Sequence, residues 1–186
     1  IHKLCSNFNF IGLTATASIN VLKDIQVEFG IKQENVKTPV DYTRKELDFV
    51  VLDDNHNKQA KLIELLDELN QTGLFLTPRG NESRCGIIFT PNVNGTRGCY
   101  PLALDLSKQF DTNVEYYSGS VPKIDDVDVM GQKNFDEYKK EVQDSFKRNE
   151  FTLLTATKAF GMGVNKPNIY FTVHYGIPGS MEALYQ

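Results

Sequence analysis

The sequence predicts an α/β fold of three layers, a mostly parallel sheet with helices on both faces. Three observations carry that expectation. Apolar runs of strand length alternate with amphipathic stretches of helical period, the order that stacks helices against a parallel sheet. The runs at 85–89, 151–156 and 169–174 are close to continuous in apolar character, as strands covered on two faces must be. At 186 residues the chain is also long enough for one substantial core.

Taken in order, residues 10–13 form a short apolar run ending in the hydroxyl cluster Thr14-Ala15-Thr16-Ala17-Ser18. Ser18 can cap a helix in which Val21, Leu22, Ile25 and Phe29 recur at helical spacing until Gly30 stops it. Residues 47–52, rich in Val and Phe, read as the next strand. The polar loop 53–57 leads into a helix carrying Leu62, Ile63, Leu65, Leu66 and Leu69, with Thr72-Gly73 as its stop. An exposed loop over 77–84 precedes the strand 85–89, which Thr90-Pro91 bounds. The Asn94-Gly95 turn introduces a helix over 99–110 with Leu102, Ala103 and Leu106 on one side. Residues 114–117 form a short strand, and 118–131 a connection or insertion. A long helix over 133–147 then places Phe135, Tyr138, Val142 and Phe146 on one face. Two buried strands, 151–156 and 169–174, follow, and Ser180 can cap a last helix.

Composition narrows the function classes. Hydrophobic residues at 40% and charged residues at 24% suit a soluble globular domain, and no run approaches the roughly 18 apolar residues of a membrane span. The first ten residues do not read as a secretion signal, and Cys5, Cys85 and Cys99 are too few and too scattered for a disulfide framework or a zinc site. An intracellular setting is expected, cytoplasmic in a bacterium or nuclear in a eukaryote. The net charge of -4 argues against a dedicated basic nucleic-acid module, while leaving room for a local patch.

Several kinds of chemistry are excluded. No G-x-x-x-x-G-K-[ST] phosphate loop is present, and Gly161-Met162-Gly163 has Lys166 where the third glycine of a dinucleotide fingerprint would stand. His2, His56 and His174 are isolated, so no metal site is expected. The D-D-V-D-V run lacks an apolar setting that would shift a carboxyl pKa, and reads as a solvated loop. What remains is a set of strand-end loops. In a parallel sheet the ligand crevice lies at the carboxyl ends of the strands, where Thr90, Ser118, Thr157 and Tyr175 all stand. Hydroxyls and backbone N–H groups there suit phosphate oxygens of a nucleic-acid strand or one edge of a nucleotide. Gly161 and Gly163 either admit a ligand or another domain closely, or form a turn required by topology alone.

Residues 156–186, A-T-K-A-F-G-M-G-V-N-K-P-N-I-Y-F-T-V-H-Y-G-I-P-G-S-M-E-A-L-Y-Q, closely resemble the motif V region of RecQ-family DNA helicases. L-T-A-T-A-S at 13–18 resembles motif III, Arg44 the arginine that starts the second lobe, G-I-I-F-T at 86–90 motif IV, and Y-Y-S-G at 116–119 the pattern after the next strand. All occur in family order over nearly the whole chain. The resemblance implies a superfamily 2 helicase: the end of a first RecA-like lobe and linker over 1–40, and most of the second RecA-like lobe over 41–186. It further implies ATP with Mg2+ as cofactors, held mainly by the first lobe, and single-stranded or forked DNA and that first lobe as partners, with 3′ to 5′ movement driven by lobe closure.

Carried over residue by residue, Thr14 and Thr16 would couple lobe closure to DNA. Thr90, Asn92, Ser118, Gly119, Thr157 and Lys158 would line the strand-binding rim, while Gly161, Gly163 and Asn165 would face the nucleotide cleft. Lys166 would order its loop or contact the opposite lobe. The phosphate-loop lysine and the Asp-Glu motif would precede residue 1, and the arginine finger would follow Gln186, so these residues alone are expected neither to hydrolyse ATP nor to unwind DNA. The segments 77–84, 91–98 and 120–131 are longer than the family pattern. Two other readings stay open: an RNA-directed motor lobe of the same superfamily, and a retired lobe serving as a binding or scaffold module.

Overall fold

The computed structural model describes residues 11–13, 18–38, 45–71, 75–161, 164–180 and 184. The chain divides into two compact units, Ile1–Leu52 with Gly179–Gln186, and Asp53–Pro178. The expected division between residues 40 and 41 falls outside the described residues.

In the first unit, α1 spans Ile19–Phe29. The Ser18 hydroxyl accepts a hydrogen bond from the Val21 N–H at 3.4 Å, and Gly30 closes the helix at a φ of 63°, the left-handed conformation that glycine adopts without steric cost. Both ends therefore match the sequence expectation. The strand expected over 47–52 is not assigned, and the apolar run 10–13 lies partly outside the described residues. Val and Phe favour extended backbone, but a strand also needs a neighbour for its N–H and C=O groups. Val50 and Val51 stand 75% and 99% exposed in the 47–52 segment.

The second unit builds the expected three layers. Helix α2 spans Lys58–Asn70, and the Asn57 side chain accepts from the Ala60 N–H at 3.2 Å to cap it. The elements that follow are strand β1, Cys85–Phe89, helix α3, Cys99–Phe110, and strand β2, Val114–Tyr117. Next come a small hairpin of β3, Lys123–Ile124, and β4, Val127–Asp128, then helix α4, Gln132–Lys147, and strands β5, Leu153–Ala156, and β6, Ile169–His174. The main sheet has the order β2-β5-β1-β6, with every pairing parallel.

Period-two alternation sorts the strand side chains to two faces. Ile88, Leu153, Val114 and Tyr116 join Leu62 and Leu66 of α2 and Leu102, Ala103 and Leu106 of α3. On the opposite face, Cys85, Ile87, Leu154 and Ala156 pack with Val142 and Phe146 of α4 and with Phe160. Phe135, at the start of α4, belongs to the first cluster, so α4 contributes to both. Each fully buried Phe or Leu in these layers contributes about 2 kcal/mol. Between β1 and β6 a side chain takes the space above a glycine. Phe171 is the register partner of Gly86, and its ring occupies the space a Cβ on Gly86 would fill.

The insertion at 118–131 is ordered. Its hairpin turns on Asp125 and Asp126 at φ values of 48° and 62°, the two successive left-handed residues of a tight two-residue connection. Val121 and Pro122 are buried beneath it, and Val129 and Met130 pack against the core. The Lys123 N–H donates to the Asn94 side-chain oxygen at 2.9 Å, tying the hairpin to the 91–98 loop.

Candidate functional site

The carboxyl ends of all four main strands stop at one level. Tyr117 pairs with Ala156, Ala156 with Phe89, and Phe89 with His174. One residue further on, the Thr157 N–H donates to the Tyr117 carbonyl at 3.0 Å, the Thr90 N–H to the Ala156 carbonyl at 2.8 Å, and the Tyr175 N–H to the Phe89 carbonyl at 2.8 Å. Ser118, Thr157, Thr90 and Tyr175 therefore stand side by side along one rim, in that order. This is where an α/β sheet opens its crevice.

Their hydroxyls are largely committed within the fold. Thr90 is buried and its Oγ1 donates to the Asn92 carbonyl at 2.9 Å; Ser118 is buried and its Oγ donates to the Ser120 carbonyl at 2.7 Å. Thr155, inside β5, spans to the start of α3 through a 2.8 Å bond from Oγ1 to the Cys99 carbonyl. Thr155→Val keeps the shape and removes that bond; the expected loss is about 1 kcal/mol in urea unfolding. Thr157 is also buried, and starts a short 3-10 turn over Lys158–Phe160 without a side-chain cap bond.

The groups presented outward are different ones. Asn92, Gly119, Lys158, Gly161 and Asn165 are all exposed. Phe160 plugs the 3-10 turn into the core, edge-on to Tyr117 at 5.1 Å and to Phe146 at 5.8 Å, which leaves Lys158 on the outer side of the turn. Gly119 stands opposite that turn, since a Cβ built on it would lie 3.5 Å from the Ala159 Cβ. Gly161 has an ordinary right-handed backbone, φ -68° and ψ -13°, so its conformation does not itself demand glycine. Thr14, Thr16, Gly163 and Arg44 lie outside the described residues.

The segment that leaves the rim at Thr157 returns to the amino-terminal ends of the strands. There Lys166, only 8% exposed, donates to the Asn149 side-chain oxygen and sits 4.7 Å from the Phe146 ring centre. Asn168 donates to the same Asn149 oxygen at 2.8 Å and to the Ser83 carbonyl at 2.7 Å. The Cys85 thiol lies 3.7 Å from that oxygen. Burial lowers the Lys166 pKa and raises that of Cys85, because desolvation disfavours either charged form. Lys166 thus orders its loop, one of the two roles expected of it. The Asn149 half of this knot was not legible in the sequence; its only signal was an Asn just past a helix end, where a φ of 60° suits that residue.

No group of three or more His, Cys, Asp or Glu side chains that could hold a metal ion occurs among the described residues. His174 stacks on Phe89 at 5.5 Å, and burial lowers its pKa. No helix among the described residues is long and apolar enough to cross a membrane.

The model of the helicase conserved C-terminal domain matches residues 57–186. The chain is 30% identical over 176 residues to the ATP-dependent DNA helicase RecQ of Bacillus subtilis, covering 95% of this chain and 24% of that protein. It is 27% identical over 180 residues to the ATP-dependent DNA helicase Q-like 4B of Arabidopsis thaliana, covering 97% of this chain and 13% of that protein. Among solved structures it is similar to the Hef helicase domain of Pyrococcus furiosus, with a TM-score of 0.47, 23% identity, and coverage of 70% of this chain and 22% of that one. The chain therefore spans under a quarter of the length of these relatives.

Proposed function

The chain belongs to the RecQ family of superfamily 2 helicases and carries their conserved C-terminal domain, and from that premise we propose that it is the second lobe of an ATP-dependent motor moving 3′ to 5′ along single-stranded DNA. The aligned rim supports this reading most. Four strand ends at one level give a track on which exposed Asn92 and Lys158 side chains, with the backbone at Gly119, contact successive phosphates. Contacts of that kind grip a strand without reading its bases. The same segment then runs on from Lys158 to Gly161 and Asn165, which we assign to the nucleotide cleft.

Gly161 and Asn165 suit the edge of a nucleotide, since an exposed amide can both donate to and accept from a ribose hydroxyl or a base. They supply no charge for the phosphates. None of the 186 residues forms a phosphate loop ending in lysine, so ATP and Mg2+ in this proposal are held mainly by groups outside these residues, and the lobe by itself turns over no ATP. Bound ATP with Mg2+ supplies the free energy of lobe closure. The part of this chain is to carry closure from Asn165 through the Phe160-anchored turn to Lys158.

The test is ATP turnover by the parent protein with single-stranded DNA or RNA as the stimulating strand. DNA is expected to stimulate more strongly, with affinity falling steeply as salt rises. Lys158→Glu is expected to weaken DNA binding about tenfold, whatever the sequence, and to shrink the logarithmic salt slope by about 0.7. A salt slope near zero in the wild type, or no stimulation by either strand, would overturn the proposal.

A further inference from the structure

We propose that Asn149, just past the end of α4, is a positioning residue for the nucleotide cleft: its side-chain oxygen holds Lys166 and Asn168 and thereby fixes how Asn165 is presented to ATP. This rests on the assignment of Asn165 to that cleft made above. The oxygen is a shared acceptor. Asn168 donates to it at 2.8 Å, Lys166 donates to it as well, and the Cys85 thiol lies 3.7 Å away. A carbonyl oxygen has two lone pairs, so the two nitrogen donors saturate it and the thiol contact is secondary.

The two donors flank Pro167, whose ring fixes its own φ. The chain from 166 to 168 is therefore held at both ends and stiff between them. Asn165 is the next residue, exposed where Lys166 is buried. The last turn of α4 grips the same segment on its other side. The Phe146 ring lies 5.8 Å from the Phe160 ring, edge-on, and 4.7 Å from the Lys166 ammonium, while Val164 packs into the same cluster. Asn149 is joined to that turn through a 3.1 Å bond from its N–H to the Phe146 carbonyl. Residues 161–165 are thus a short span between two fixed points. An amide set in place before ATP arrives loses less freedom on binding than one on a free loop.

What makes the hold depend on Asn149 is the burial of Lys166. No ion pair to Lys166 occurs among the described residues, so its ammonium relies on a neutral acceptor, and a buried donor left without one costs the full loss of its hydration. Without the Asn149 oxygen, the Lys166 side chain gains by moving out to water. The backbone on either side of it moves too, and Asn165 is its immediate neighbour.

The test measures DNA-stimulated ATP turnover by the full-length parent protein. Asn149→Gly removes the oxygen and suits the backbone φ of 60°; it is expected to raise KM for ATP about fivefold while kcat stays within about twofold. Asn149→Asp keeps an oxygen acceptor on a residue type that also visits left-handed backbone, and should bring KM back to within about twofold of the wild type. Asn165→Ala alone should raise KM about as much as Asn149→Gly. If Asn149 acts through Asn165, adding Asn149→Gly to Asn165→Ala raises KM no further. Full additivity of the two changes overturns the proposal, and so does a glycine variant whose thermal midpoint falls while its KM is unchanged, since either result makes Asn149 a purely structural residue. An unchanged KM in Asn165→Ala defeats the cleft assignment itself, and the positioning role with it.

Discussion

Gly86→Ala is expected to destabilise the domain by about 3 kcal/mol, at the upper end of what overpacking costs. The added methyl would fall on the Cζ, Cε1 and Cε2 atoms of Phe171. That ring cannot swing away freely, because Phe75 packs edge-on against it at 5.0 Å. Backbone movement is blocked as well, since Gly86 lies in the second strand from the edge, paired on one side with Leu153 and on the other with Phe171. In a protein of this size the loss corresponds to a fall of about 10 °C in the thermal midpoint. Phe171→Leu added to the glycine variant opens the space and should recover part of the loss. A fall of under about 1 kcal/mol in the single variant would show that the Phe171 ring gives way to the methyl.

The second large effect is alkaline. Burial pushes the Cys99 thiol from 9.0 up to about 11 and the Tyr116 phenol from 10.0 up to about 12. Both groups are neutral when protonated, and the fold favours that form. Their stabilising contribution is thus complete below pH 9 and disappears as pH rises through 11 and 12, because there the native state binds protons the unfolded chain has released. Two pKa units are worth roughly 3 kcal/mol for each group. Urea unfolding at pH 8 and pH 11.5 should reveal a loss of several kcal/mol, reduced in Cys99→Ala and in Tyr116→Phe. At pH 7 the phenylalanine variant should cost little, since the Tyr116 hydroxyl is buried with no hydrogen-bond partner. An identical pH response in wild type and both variants would overturn this account.

Most of the second unit was legible in advance. Cys85–Phe89, Cys99–Phe110, Val114–Tyr117 and Ile169–His174 have the bounds read from apolar pattern and turn residues, because in each the local preference and the buried face agree. The 47–52 segment misled for the opposite reason: its residues favour a strand, but pairing depends on a partner that composition does not reveal. The site was half legible. Strand ends converge on one rim because parallel topology requires it, and that followed from element order alone. Which hydroxyls face inward did not follow. Thr90 and Ser118 read as presented groups, yet a rotation about χ1 decides between solvent and a neighbouring carbonyl, and packing makes that choice. The hairpin was missed because Asp-Asp is a poor signal for a turn that usually carries Asn-Gly.

The common level at which the strands stop has an evolutionary consequence. The ladder is complete by Tyr117, Ala156, Phe89 and His174, so any lengthening beyond Thr90 or Ser118 adds chain without shifting a single pairing. Lineages can refit those loops as interchangeable tools while the handle that carries them is inherited intact. Lengthening at the amino-terminal ends of the strands has no such freedom, because Lys166, Asn168 and Asn149 are knotted together there.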